Sequence, residues 1–205
     1  MLTLAKPIFY FMSLILDNIS KHITLTEEEK ALFLSKTKTI HAKAKTMLLN
    51  AGEKSRYTYF VNQGILRSFN VTDNIVEHVL SFACKDWWMG DMYSLISGKP
   101  GHLFIEVLED AELVLLSRED QEDLFHQIPK LERFFRILVE NSLVAHQERL
   151  MDNLGLTAEE RYEKFCQKYP SLITSVAQKH IASYIGVTPE FFSKMKAKLL
   201  RNSSH

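Results

Sequence analysis

Cysteine is nearly absent from this sequence: Cys84 and Cys166 are the only two in 205 residues. That is too few for a disulfide framework or a cysteine-ligated iron–sulfur cluster. The pair fits half-buried free thiols in a reducing cytoplasm. Long apolar runs are missing as well. Ile8–Leu16 is too short to span a bilayer and lacks a small-residue cleavage site, so neither an anchor nor a signal peptide is read there. Met12 begins a second plausible N-terminus inside that run. These absences predict a cytoplasmic protein with no membrane partner.

Excess charge of one sign is lacking too. The 25 Lys and Arg balance the 25 Asp and Glu, which excludes a uniformly basic coat for nucleic acid. No Gly-x-Ser-x-Gly elbow, phosphate loop, dinucleotide fingerprint or Cys-x-x-Cys pair occurs. A metal-dependent cupin barrel needs a His-x-His pair with a further Glu and His. Here His78 stands alone, and His102 with Glu106 supplies no such pair. No catalytic residue and no metal ligand is therefore named, and the chain is not expected to be an enzyme. A cupin-like barrel that binds a small ligand or a metal, without a role at DNA, is the alternative reading.

What is present changes texture along the chain. Leu14–His22 reads as a short amphipathic helix. Thr26 with Glu29 forms a capping box for a second helix, Glu27 to about Ser35. From Lys36 onward come short runs rich in β-branched and aromatic residues: TKTIHA, TMLL, YTYFVN, GILRSFNV, IVEHVLSF, LFIEV and AELVLLS. Gly52, Gly64, Asp73-Asn74, Gly90, Gly98 and Glu109-Asp110 punctuate them, the pattern of an antiparallel sandwich or barrel. Arg118–His126 reads as helical, and Pro129 opens a long helix to about Asn153.

That long helix carries Phe134, Leu138, Asn141, Ala145, Glu148 and Asp152 at heptad-like steps, with Ile137, Val144 and Met151 beside them. Part of it must pack on its own β-domain. The stepped positions Phe134, Leu138, Asn141, Ala145 and Glu148 predict a helix–helix dimer seam. Gly155 is the expected hinge, and Thr157 with Glu160 the cap of the next helix.

Charge, balanced overall, is not balanced locally. From Thr157 to the end, eight Lys and Arg face four Asp and Glu, so this last quarter is about +4 and the rest about −4. Within it lies QKHIASYIGVTPEFFSKMKAKLL, Gln178–Leu200. Ile181 and Ile185 are one helical turn apart, and Phe192 and Met195 mark a second buried stripe. Gly186 can end the first helix, Thr188 can cap the second, and Pro189 needs no backbone N–H at its first position. This is the pattern of a helix-turn-helix whose second helix enters the major groove. Glu190, Ser193 and Lys194 share one face and are the base-reading candidates. Lys179, Thr188 and Lys196 are the phosphate candidates. Double-stranded DNA is the expected partner.

In that order, β-domain, long helix and helix-turn-helix resemble the Crp/Fnr family of bacterial transcription regulators. AEERYEKFCQKYP (Ala158–Pro170) and IASYIGVTPEFFSKMKAKL carry the resemblance best, and IASYIGVTPE is similar to a branch common in the Bacteroidetes. LTEEEKALFL, YFVNQGILRSF and IPKLERFFRIL add to it. The resemblance implies an α+β fold: an N-terminal double-stranded β-helix (a β-roll like the cyclic-nucleotide-binding domain), a long dimerisation helix, and a C-terminal winged helix-turn-helix-like domain. The corresponding domains are 1–128, 129–155 and 156–205. It implies a homodimer on a pseudo-palindromic operator that recruits or blocks RNA polymerase, controlled by a small effector whose identity is open.

The resemblance also marks a candidate effector pocket: Trp88, Gly90, Asp91, Met92, Tyr93, Lys99 and His102. Cyclic-nucleotide-binding members have a Glu for the ribose and an Arg for the phosphate there. Here Asp91 stands for the Glu, and Gly101 occupies the place of the Arg. Without that cation the resemblance implies no tight binding of cyclic AMP and no other cofactor.

Overall fold

The computed structural model describes residues 14–72 and 76–202. The start of the Ile8–Leu16 run, the Met12 start and the expected Asp73-Asn74 turn lie outside them. The chain divides into two compact units. One comprises the residues up to Ser68 together with Phe82–Glu140; the other comprises Phe69–Ser81 together with the residues from Asn141 onward. No described helix is long and apolar enough to cross a membrane.

In the first unit, α1 (14–20) and α2 (Glu27–Ser35) precede the strands. The Thr26 capping box is made in both directions: Thr26 Oγ accepts from the Glu29 N–H at 3.2 Å, and Glu29 Oε2 accepts from the Thr26 N–H at 2.7 Å. Then follow β1 (Thr37–Ala42), β2 (Met47–Leu49), β3 (Tyr57–Val71), β4 (Glu77–Ala83), β5 (Trp88–Met89), α3 (Met92–Ser97), β6 (Phe104–Ser117), α4 (Arg118–Gln127) and α5 (Lys130–Gly155). The strands form one sheet in the order β1-β6-β3-β4, with β2 pairing β6 and β5 pairing β3. β1 and β6 are antiparallel, Thr37 opposite Leu116 through Ala42 opposite Ala111. This is the expected β-roll.

Two breaks expected from the sequence are not breaks. YTYFVN and GILRSFNV run on through Gly64 as β3, and LFIEV and AELVLLS run on through Glu109-Asp110 as β6. Gly64 has φ +93°, and a Cβ there would sit 2.6 Å from Ala111 Cβ and 2.7 Å from the Asp110 carbonyl. The residue types that usually signal a turn serve instead for a close approach of two long strands.

Side chains fill the roll. Leu49, Val61, Leu66, Ile105, Val107 and Leu113 belong to one buried cluster. A second unites Ile15 and Ile19 of α1, Phe33 of α2, Phe60 and Leu116 of the sheet, and Leu131, Phe134 and Phe135 of α5. Each fully buried side chain of this size contributes about 1.5–3 kcal/mol.

That second cluster takes Phe134 and Leu138 out of the expected dimer seam. Phe134 is fully buried in the first unit's own core, and Leu138 packs against the same cluster. In the second unit, Ala145 and Glu148 face a cleft of about 680 Å³ that α6 and α8 also line. Only Asn141 and Glu148 of the five are exposed. Of the stepped positions, Phe134 and Leu138 therefore pack inward on the first unit. The exposed apolar residues of α5 are Val139, Leu143, Val144, Leu150, Met151 and Leu154. Val139, Leu143 and Leu150 repeat the spacing of Phe134, Leu138 and Ala145 five residues further on, a rotation of about 140° around the helix.

The second unit contains the ends of β3 and β4, the C-terminal half of α5, and α6 (Ala158–Lys168), α7 (Leu172–Ser175), α8 (Gln178–Ile185) and α9 (Pro189–Asn202). Thr157 and Glu160 make the expected capping box at α6. Tyr162 meets Phe192 edge-on at 5.2 Å, and Phe165 meets Tyr184 at 5.4 Å. Residues 156–202 are helix and connecting turn throughout, so the helix-turn-helix is present and a wing is not found among the described residues. The eight residues between Tyr169 and Gln178 hold Pro170 and the short α7, which leaves no room there for a strand pair.

Candidate nucleic-acid interface

The helix-turn-helix is α8, the turn Gly186-Val187-Thr188, and α9. Gly186 closes α8 in the left-handed region, φ 75° and ψ 37°, its N–H donating to carbonyls of the last turn. Thr188 caps α9, its Oγ accepting from the Phe191 N–H at 3.2 Å. Ile181, Ala182 and Ile185 of α8 and Phe192 and Met195 of α9 are buried against one another's elements. Thr188→Ala removes the cap bond at an exposed site. It should cost about 1 kcal/mol of unfolding free energy, measured by denaturant titration.

Burying Phe192 and Met195 turns the opposite face of α9 outward. Glu190, Ser193, Lys194, Ala197, Lys198 and Arg201 share it, and all are exposed. Lys194, Ala197, Lys198 and Arg201 line one shallow groove along the helix. No ion pair with a described residue engages Lys194, Lys198 or Arg201, so their charges face solvent. The Ser193 hydroxyl donates to the Pro189 carbonyl at 2.9 Å, which holds it against its own helix. Lys179, at the start of α8, and Thr188 are exposed. Lys196 is half-buried on the flank of α9, away from the Glu190 face. Phe191 is 49% exposed.

The candidate effector residues do not converge on one cavity. Trp88 belongs to the core: its Nε1 donates to Asn18 at 3.0 Å, and its ring lies 5.2 Å from Phe60 and 5.5 Å from Phe135. Met92, Tyr93, Lys99 and His102 are exposed, with Tyr93 and His102 5.5 Å apart ring to ring. Asp91 is buried at 1% exposure. One of its carboxylate oxygens caps α3 by accepting from the Ser94 N–H at 3.1 Å. The other, Oδ2, has no hydrogen-bond partner among the described residues. A Cβ on Gly101 would stand 1.9 Å from that oxygen, and one on Gly90 would touch Leu95 and Thr58 at 3.0 and 3.2 Å. Asp91, Gly90 and Gly101 thus close this stretch, the cassette Gly90–His102, on itself.

Cys84 and Cys166 are free and half-buried, as expected. Burial pushes the Cys84 thiol above its ordinary range. Among the described residues, no group of three or more His, Cys, Asp and Glu could hold a metal ion.

Residues 39–127 match the cyclic nucleotide-binding domain family. The fumarate and nitrate reduction regulatory protein of Vibrio cholerae is 22% identical over 166 residues, covering 76% of this chain and 66% of that protein. The anaerobic regulatory protein of Aggregatibacter actinomycetemcomitans is 23% identical over 160 residues, covering 73% and 62%. The chain is thus similar to regulators of the Crp/Fnr kind, and its residues 39–127 carry the cyclic nucleotide-binding domain. It spans less than two thirds of the length of these two relatives. Among solved structures, the c-di-GMP-responsive regulator CLP of Xanthomonas campestris has the same fold, with a TM-score of 0.71 at 16% identity over 87% of this chain and 93% of that one. FixK2 from Bradyrhizobium japonicum also gives 0.71, at 19% identity over 82% and 86%.

In the helix-turn-helix, sequence reasoning found Glu190, Ser193 and Lys194 on one exposed face but stopped there. Lys198 and Arg201 continue that face at four and seven residues beyond Lys194, a signal present in the spacing. Sequence reasoning also passed over Arg149 and Ser183, which the second unit uses heavily. Arg149 donates to the Val79 and Tyr184 carbonyls at 2.8 Å each. The Ser183 hydroxyl donates to the Glu77 carbonyl at 2.6 Å.

Proposed function

We propose that this chain is a sequence-specific DNA-binding transcription regulator that acts in the cytoplasm as a homodimer on a pseudo-palindromic operator. The observation that carries this reading is the face of α9. One carboxylate, one hydroxyl and three cations that pair with no described residue lie together on a capped helix whose opposite face is buried. In that role Glu190 accepts from a cytosine amino group and Lys194 donates to guanine O6 or N7. Lys198 and Arg201, with Lys179 and Thr188, hold phosphates and set the register without specifying sequence. A lone helix-turn-helix reads few bases, whereas a pair reads a palindrome. The exposed stripe Val139-Leu143-Leu150 is the surface that supports pairing. Recruitment or blocking of RNA polymerase is the expected output.

The β-roll of this regulator is proposed not to hold cyclic AMP. The orphan carboxylate oxygen of Asp91 lies against the position where an anion would need a cation. A buried carboxylate disfavours a second negative charge beside it.

Selection from random DNA at a stated salt concentration tests the DNA reading. A palindromic motif is the expected result, and recovery of none would sink the proposal. Lys194→Ala should relax one symmetric base position at about 1–3 kcal/mol per half-site. A loss uniform across sequences would instead make Lys194 a phosphate contact.

A further inference from the structure

β4 is the end strand of the order β1-β6-β3-β4, so among the described residues one side of its backbone has no strand beside it. Open edges are normally covered. In the second unit this edge is covered by side chains. The Ser183 hydroxyl, on α8, donates to the Glu77 carbonyl at 2.6 Å and accepts from the Val79 N–H at 2.9 Å. A neighbouring strand would offer the same pair of bonds. Arg149, on α5, donates to the Val79 carbonyl at 2.8 Å and to the Leu80 carbonyl. The same guanidinium donates to the Tyr184 carbonyl at 2.8 Å and stacks over the Tyr184 ring at 4.1 Å.

These bonds converge on the last turn of α8, whose final carbonyls have no partner within the helix. Arg161 of α6 takes the next of them, donating to the Ile185 carbonyl at 2.8 Å. Two arginines also suit the negative end of the helix dipole. Gly186 follows at once, then Thr188 and α9. Whatever fixes the end of α8 therefore fixes the start of the reading helix. Burial lowers the pKa of Arg149, and its Nε is buried without an acceptor among the described residues, so holding it there carries a desolvation cost. A residue that only decorated the surface of α5 would not incur that cost.

We infer that Arg149 and Ser183 are positioning residues that latch α8, and with it α9, to the arm formed by the ends of β3 and β4. The inference rests on the DNA reading only for its consequence. β3 runs from Tyr57 to Val71 and β4 from Glu77 to Ala83, so the arm is continuous backbone with the strands of the roll. A change in those strands is carried by main chain to Glu77, Val79 and Leu80, and by the latch to α8. The recognition face of α9 takes no part in the latch and stays free for DNA.

The test uses the full-length chain and two independent readouts. Hydrogen exchange reports the latch itself. In Ser183→Ala and in Arg149→Lys, which keeps the charge and loses the planar fork, amides 77–80 should exchange about tenfold faster. Affinity for the selected operator should fall by a similar factor, with non-specific affinity and the dimer unchanged. Ser183→Thr retains the hydroxyl and should restore both. Unchanged exchange in both variants would overturn the latch, whether or not the protein selects a DNA motif. Faster exchange with unchanged operator affinity would overturn the positioning role.

Discussion

Arginine at position 101 should not bring cyclic AMP back. Gly101→Arg is expected to unfold at lower denaturant than the parent and to gain no saturable stabilisation from cyclic AMP. The reason lies at the Cβ, before the guanidinium is reached. That atom would stand 1.9 Å from Asp91 Oδ2, 2.9 Å from its Cγ and 3.2 Å from Ser94 Cβ. The backbone cannot retreat, because Gly101 donates to the Glu53 carbonyl at 3.0 Å and accepts from the Gly52 N–H at 2.9 Å. Asp91 cannot swing aside without giving up its cap on α3. Overpacking of about 1–3 kcal/mol and a lost cap of about 1 kcal/mol give the expected size. Gly101→Ala should show most of it. Asp91→Ser in the Gly101→Ala background should recover part, a non-additivity that a denaturant titration of all four proteins measures. Strong stabilisation of Gly101→Arg by cyclic AMP would refute the closed cassette.

Leu143→Asp with Leu150→Asp should convert the proposed dimer to monomers without unfolding either unit. These side chains are 58% and 60% exposed, so the isolated chain loses little by their replacement. A carboxylate on each side of a helical seam is costly to bury. Sedimentation should show the halved mass. Operator affinity should fall by about 10²–10⁴, since linkage of two half-site readers is lost. Phe134→Ala discriminates the two registers of α5. Phe134 is fully buried in the first unit, so its truncation should cost about 3–5 kcal/mol of stability and leave the dimer intact. A monomer on Phe134→Ala with undiminished stability would restore the inward register as the seam.

Local chemistry was the legible part of this chain. Thr26, Thr157 and Thr188 announced their caps because capping depends on residues three apart. Gly186 announced the turn because few other residues take positive φ. The apolar stripes of α8 and α9 followed from their period. The register of α5 was less legible, because two apolar stripes lie on one helix. Period alone cannot say which of them, Phe134-Leu138 or Val139-Leu143-Leu150, faces inward. Gly64 and Asp110 misled for a related reason. A glycine that lets two strands touch looks in sequence like one that lets a chain turn. The cassette was legible only as a departure from a family pattern. That Asp91 fills the space beside Gly101 is a property of the fold around it. Arg149 and Ser183 left no mark, since their partners are main-chain carbonyls and an amide some 70 and 105 residues away, which carry no side-chain signature.

Among the described residues no carboxylate is paired with Arg149; its bonds go to main-chain oxygens and an aromatic face. Bonds of that kind are short-ranged and shielded by their own burial, so dissolved ions weaken them little. Contacts from Lys194, Lys198 and Arg201 to phosphates would be the opposite, falling steeply as counterions compete. Ionic strength is therefore a knife that separates the two. A salt step that elutes the protein from DNA would leave α8 fastened to its arm, ready to rebind on dilution.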